Sequence, residues 1–214
     1  MEKEIRTLNT EFRATEEDRK IEGVAIVFNQ LSEDLGFREQ IVPEAVEGVI
    51  EESDIFMLYN HDRSRGYLAR SKKGKGTLNI DVQDDGVHFN FKAPNTALAS
   101  EVREHMINGD IDSCSFAFTV AEDRWEKMSD GTYLRTILKF DKIYDFSVVD
   151  NPAYSQTSCS CRSFEEFKEK EARELAEQKA KEEEEARLEE ERKTKEAIEA
   201  QHNKMLEDYG KYLN

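Results

Sequence analysis

The chain has 214 residues, enough for one domain of ordinary size and an appendage, with 37% hydrophobic and 36% charged residues. A net charge of −16 argues against a nucleic-acid-binding role, since phosphate contacts are made by clustered Lys and Arg. No apolar stretch approaches the ~20 residues of a membrane span, and the opening Met-Glu-Lys-Glu-Ile-Arg is not a signal-peptide start.

In chain order, the body reads as many short strands. Residues 22–28 form the first, and Pro43 to about Glu51 reads as a helix with Pro at an early position. Strands follow at 55–59, 66–70 and 77–82, and Asp84-Asp85-Gly86 turns the last of these into another at 86–91. Asn95 is a candidate cap for a helix through Asn108, whose Leu98, Val102 and Met106 share one face, and Gly109 ends it. Strands are then predicted at 112–120, 133–140 and 142–149, with a Ser129-Asp130-Gly131 turn after the Trp125 segment. This pattern predicts a barrel-like or sandwich-like α+β domain.

Near residue 160 the physics changes, so the chain divides into a body, 1–160, and a tail, 161–214. From Phe164 to about Tyr209 there is no Pro or Gly, and Glu, Lys, Ala and Arg dominate. Intrinsic propensity and i,i+4 Glu/Lys pairs predict a long helix. Its apolar residues, Leu175, Leu188, Ile198, Met205 and Leu206, are too sparse for a continuous heptad seam, so it reads as a solvated helix or partner-binding arm. The three cysteines, Cys114, Cys159 and Cys161, predict reduced thiols. None of the four histidines lies near Cys159-Ser160-Cys161, so no zinc site is expected there.

Three segments each set one reactive side chain in an apolar run. His61 follows Ile55-Phe-Met-Leu-Tyr-Asn60, where Ile55, Met57, Tyr59 and His61 would share one strand face. The plain alternative is a strand-end His paired with Asp62, and His88 and His105 compete for the same role. Ser115 sits with Ser113, Ala117 and Thr119 on a face of small residues, opposite Cys114, Phe116, Phe118 and Val120. That face leaves room for a peptide backbone, but a barrel wall with small inward residues reads equally well. Cys114 is the better nucleophile in principle, yet a buried thiol is inert. Asp145, between Tyr144 and Phe146, needs a partner if buried, and an imidazole N–H is a suitable one. An edge-strand Asp facing water is the alternative, and Asp150 before Asn151-Pro152 reads as turn chemistry.

Together the segments resemble the prohead maturation proteases of tailed bacteriophages. The matching blocks are Gly23-Val-Ala-Ile-Val-Phe28, Asn60-His61-Asp62, Gly109-Asp-Ile-Asp-Ser-Cys-Ser115-Phe-Ala-Phe118 and Asp145-Phe-Ser-Val-Val-Asp-Asn-Pro152-Ala-Tyr154, a span of roughly Ile5 to Tyr154. Ala117 stands where that family commonly has Gly, and Asp145 where many relatives have Glu. The resemblance implies a herpesvirus-protease-like fold, a mostly antiparallel β-barrel with a few surrounding helices, followed here by the charged C-terminal helix. It implies a serine endopeptidase with His61 as general base, Ser115 as nucleophile and Asp145 as orienting acid, needing no metal or organic cofactor. Its expected substrates are the capsid scaffold, the major capsid protein and itself, inside the assembling prohead in the host cytoplasm, and relatives with this fold allow a homodimer. No nucleic-acid or membrane partner is expected. The rival readings are a non-enzymatic scaffold or minor capsid protein that assembles through its tail, and an adaptor whose acidic helix binds basic partners.

Overall fold

A computed structural model of the chain describes residues 2–9, 13–14, 18–150 and 158–211, without the side chains of 9, 158–163, 204 and 206–211. The chain forms two compact units, residues 1–163 and 164–214. In the first, the strands are β1 (Glu4–Asn9), β2 (Arg13–Ala14), β3 (Lys20–Val27), β4 (Arg38–Ile41), β5 (Asp54–Tyr59) and β6 (Ala69–Lys72). They continue with β7 (Lys75–Gly76), β8 (Leu78–Gln83), β9 (Gly86–Lys92), β10 (Ser113–Lys127) and β11 (Tyr133–Val149). The helices are α1 (Val49–Glu52) and α2 (Ala97–Asn108), with α3 (Ser158–Lys211) after the body.

The β10–β11 hairpin is the spine of the first unit. Its long runs of aromatic and β-branched residues pair antiparallel from Ser113↔Val149 to Lys127↔Tyr133. The sequence suggests two strands at 133–140 and 142–149, but one continuous strand forms. Bulges absorb the break: Asp141 and Tyr144 have no Cα partner on β10, and Asp141 Oδ2 accepts from Thr119 Oγ1 at 2.9 Å. Around this hairpin a seven-stranded sheet runs β1-β10-β11-β5-β6-β7, and β4 also pairs with β11. A second sheet runs β2-β3-β9-β8. Phe89 of the small sheet meets Phe146 of the large one at 6.4 Å between ring centroids, and Ile21, Ile26, Ile55, Met57, Phe116, Phe118 and Ile143 fill the core around them.

The α+β class is as expected, but the barrel is corrected. Among the described residues the strands make two open sheets, and both β4 and β5 run parallel to β11. Closure requires every edge strand to find a partner, and the two-residue β2 and β7 are too short to extend a ladder across the gap. The Pro43 helix is also corrected: a 3₁₀ turn at Pro43–Val46 ends before Gly48, whose φ of +70° separates it from α1. The α2 cap is Thr96, whose Oγ1 accepts from Ala99 N at 3.3 Å, rather than Asn95. Gly109, at φ +78°, closes α2 as expected, and Val102 and Met106 are buried.

Alternation alone does not reveal β1. Its Glu4 and Arg6 are charged, yet both are buried, because they pair inside the protein with Glu39 of β4 and Arg135 of β11. Arg6 grips Glu39 through two hydrogen bonds of 2.7 and 2.8 Å and Glu4 through one of 2.7 Å. Arg135 donates to Glu4 at 2.8 and 3.0 Å, to Glu39 at 3.0 Å and to Asp123 at 2.7 Å. Burial pushes the Glu4 carboxyl up, but the two guanidinium groups outweigh it and hold it below the usual carboxylate range. This cluster fastens β1 to the spine.

The second unit is α3 from Phe164 onward, and it extends the expected helix at both ends. Ion pairs at i,i+3 and i,i+4 lace its surface, among them Arg192 with Glu189 at 2.8 Å and with Glu196 at 3.1 Å. Leu175, Leu188, Ile198 and Met205 are exposed, so the described residues of this unit form no core of their own. No described helix is long and apolar enough to cross a membrane.

Breaking the buried cluster leaves carboxylates without partners, which costs roughly 3–5 kcal/mol. Arg135→Ala should therefore lower urea-unfolding stability by about that amount, and a loss under about 1 kcal/mol would show that the cluster does not fasten β1. The depressed Glu4 pKa gives stability that is present above the unfolded carboxylate value and lost as pH falls through the folded one. The wild-type advantage over Arg135→Ala should accordingly shrink in acid.

Candidate functional site

Ser115 lies on β10, between Thr7 of β1 and Ser147 of β11 in the strand register. Two residue pairs along, and so on the same face, Asp145 stands opposite Ala117. The bulge at Tyr144 falls next to Asp145, where an extra residue re-aims the side chains on either side. Both Ser115 and Asp145 are buried, on the sheet face opposite the core residues Phe116 and Phe146.

His61 arrives differently. β5 ends at Tyr59, and Asn60 and His61 both take positive φ, +51° and +56°. This conformation is unfavourable for residues other than Gly, and Asn tolerates it best. It is held by hydrogen bonds: Asn60 N donates to Val148 O at 3.0 Å, and Asp150 braces Asn60 Nδ2 at 3.1 Å and Tyr59 OH at 2.5 Å. The expected shared face of Ile55, Met57, Tyr59 and His61 is thus corrected. The first three join the core, while the turn carries His61 to the side of Phe56 and Leu58.

The three side chains meet. His61 Nδ1 is 2.5 Å from Asp145 Oδ1, and His61 Nε2 is 2.7 Å from Ser115 Oγ. An ionised carboxylate only accepts, so Nδ1 carries the proton and Nε2 of the neutral ring is the acceptor facing the hydroxyl. Burial pushes the Asp145 carboxyl up, but the His61 hydrogen bond, the His61 charge when the ring is protonated, then Lys3 and Ser147 outweigh it, and the group lies below the usual carboxylate range. Asp145 therefore stays ionised at neutral pH and keeps this tautomer in place.

The Ser115 hydroxyl has further partners. It lies 2.9 Å from the Arg6 carbonyl oxygen and accepts from Thr7 Oγ1 at 3.1 Å. Its single proton thus has two acceptors in reach, Nε2 and the Arg6 carbonyl. A cleft of about 250 Å³ opens beside His61 and Asp145, walled by Phe56, Leu58 and Tyr144, with Lys3 and Lys142 at its margin. Lys3 Nζ donates to the second Asp145 oxygen at 3.2 Å.

The alternatives lie elsewhere. His88 Nε2 pairs with Asp85 at 2.8 Å and lines a separate hollow over β3 and β9, and His105 pairs with Asp110 at 3.0 Å. Asp62 accepts from Ser64 rather than from His61. Cys114 is fully buried, and desolvation pushes its thiol up to about 12, which leaves it inert at neutral pH. The side chains of Cys159 and Cys161, and the turn at Asn151-Pro152, lie outside the described residues. Among the described residues no cluster of His, Cys, Asp and Glu is suited to hold a metal ion. The contacts of Lys3, Arg6 and Thr7 with the site are not visible in the sequence, since β1 reads as an ordinary charged N-terminal stretch.

A hydroxyl, an imidazole and a carboxylate joined in this order are the parts of a serine peptidase. Residues 6–170 match the family described as caudovirus prohead serine protease, and the chain belongs to that family. No curated protein matches it. Among solved structures, the capsid assembly protease gp21 of bacteriophage T4 is similar at 11% identity, with a TM-score of 0.42 over 71% of this chain and 100% of that one.

Proposed function

We propose that this chain is a serine endopeptidase of prohead maturation in which Ser115 is the nucleophile, His61 the general base and Asp145 the acid that orients it. The observation that carries the reading is the unbroken relay from Asp145 Oδ1 through His61 to Ser115 Oγ, with links of 2.5 and 2.7 Å. A peptide carbonyl that reaches Oγ displaces the Arg6 and Thr7 contacts. The hydroxyl proton then passes to Nε2 as Oγ attacks the carbonyl carbon, and imidazolium returns that proton to the leaving amine. Water repeats the sequence on the acyl-enzyme. Asp145 stays ionised throughout and stabilises the imidazolium.

The proposed substrates are capsid precursor proteins, namely the scaffold and an N-terminal extension of the major capsid protein, together with the chain itself. Family membership supports this class of substrate, and the exposed α3 supports a second element of the reading. A long charged helix adds nothing to peptide hydrolysis, but its sparse exposed Leu175, Leu188 and Ile198 suit docking onto helical scaffold subunits. Its lack of a core also makes it an accessible region for self-cleavage.

Purified chain, incubated alone and with coexpressed capsid precursor, should release fragments of defined mass that Ser115→Ala abolishes. His61→Ala should match Ser115→Ala, a loss on the order of 10⁶ in turnover, and the double variant should be no worse, because the pair acts as a unit. Fragments from Ser115→Ala at the wild-type rate would exclude Ser115 as the nucleophile, and no fragments from the wild type with its capsid precursor would favour the non-enzymatic reading. Deletion of Phe164–Asn214 should preserve peptide hydrolysis but abolish incorporation into procapsids, measured by sedimentation and blotting; normal incorporation would exclude the docking role.

A further inference from the structure

Ser147 lies between the acid and the base, and peptide hydrolysis as outlined above gives it no task. It is fully buried on β11, directly across the ladder from Ser115. Its hydroxyl donates to Asp145 Oδ1 at 3.0 Å, the same oxygen that accepts the hydrogen bond from His61 Nδ1–H. Its oxygen accepts the His61 backbone N–H at 3.1 Å and stands 3.2 Å from His61 Nδ1. A residue that merely filled the strand face would need no such geometry, and Ala would serve.

Two physical demands meet at this hydroxyl. The His61 backbone sits at φ +56°, outside the region a His prefers, so its N–H needs a fixed partner to hold the ring toward Ser115. Asp145 is buried as a carboxylate, so each donor to its oxygens helps keep it ionised and fixes its plane. Ser147 answers both with one group, because a hydroxyl donates and accepts at once.

We infer that Ser147 is a positioning residue for catalysis: it ties the His61 backbone to the Asp145 carboxylate and so sets the imidazole at hydrogen-bond distance from Ser115. The inference rests on the Asp145–His61–Ser115 relay as the catalytic unit. Without the Ser147 hydroxyl, the Asp145 oxygen loses a donor and the His61 turn loses its anchor. The ring then samples orientations in which Nε2 no longer faces Oγ. Substrate binding, made elsewhere, is unaffected.

The test uses the full chain as wild type, Ser147→Ala, Ser147→Thr and Ser115→Ala. A quenched-fluorescence peptide, selected from a random library by wild-type cleavage, gives kcat and KM. Proton NMR follows the strongly deshielded His61 Nδ1–H resonance expected of a short bond to carboxylate, and melting curves fix the temperature at which all variants are folded. Ser147→Ala should lose about tenfold to a hundredfold in kcat, the scale of a small misplacement of reacting groups, with KM nearly unchanged. Its deshielded resonance should move upfield and broaden, and Ser147→Thr, which keeps the hydroxyl, should restore both kcat and resonance. Wild-type kcat and an unmoved resonance in Ser147→Ala, with Ser115→Ala inactive, would overturn the role of Ser147 alone. Equal losses in Ser147→Ala and Ser147→Thr would overturn it too, by showing that packing rather than the hydroxyl matters. Wild-type activity in Ser115→Ala would instead bring down the relay, and this inference with it.

Discussion

The pairing of β10 with β11 is the constraint on which the site depends. It sets Ser115 across from Ser147 and Ala117 across from Asp145, so the Ser115 hydroxyl and the Asp145 carboxylate project from neighbouring strands at a fixed offset. Strand geometry alternates side chains with period two, and a slip of one residue along either strand would turn one of them to the opposite face. The Phe116, Phe118, Phe140 and Phe146 side chains on the core face penalise such a slip, since it would expose them. Hydrophobic packing on one side of the sheet therefore holds the polar geometry on the other.

Two further devices complete the arrangement, and each depends on partners supplied from elsewhere in the fold. The left-handed Asn60-His61 turn is unfavourable in isolation and persists because β11 and Asp150 supply partners for it. The buried Glu4–Arg6–Glu39–Arg135 cluster replaces four solvated ions with a paired set, a geometry that tolerates no missing member. Its effect is to hold β1 against β10, so that Arg6 O and Thr7 Oγ1 sit on the Ser115 hydroxyl. Stability and site geometry are thus coupled through β1: the strand that completes the sheet also places a second acceptor beside the Ser115 hydroxyl.

Much of this was legible in the sequence, because the informative residues break a local pattern. His61, Ser115 and Asp145 each interrupt an apolar run, and a polar side chain in a buried strand needs a partner. The α2 helix and the long α3 followed from periodicity and composition, and Gly109 from the need for a left-handed terminus. What was not legible depends on contacts distant along the chain. Closure into a barrel rather than two sheets is decided by edge strands as short as β2 and β7, which carry no periodic signal. Glu4 and Arg6 read as surface residues because pairing, not hydropathy, buries them. The turn that redirects His61 uses Asn60 rather than Gly, so no punctuating residue marks it. Ser147 is a small polar residue in a strand, indistinguishable in sequence from Ser113.

The most direct measurement is covalent mapping of the nucleophile with a fluorophosphonate, which reacts with serine hydroxyls activated by a neighbouring base. Mass spectrometry of the digested full-length chain should find one adduct, on Ser115, and none after His61→Ala. An adduct on another serine, or equal modification of Ser115 in the absence of the His61 imidazole, would contradict the account.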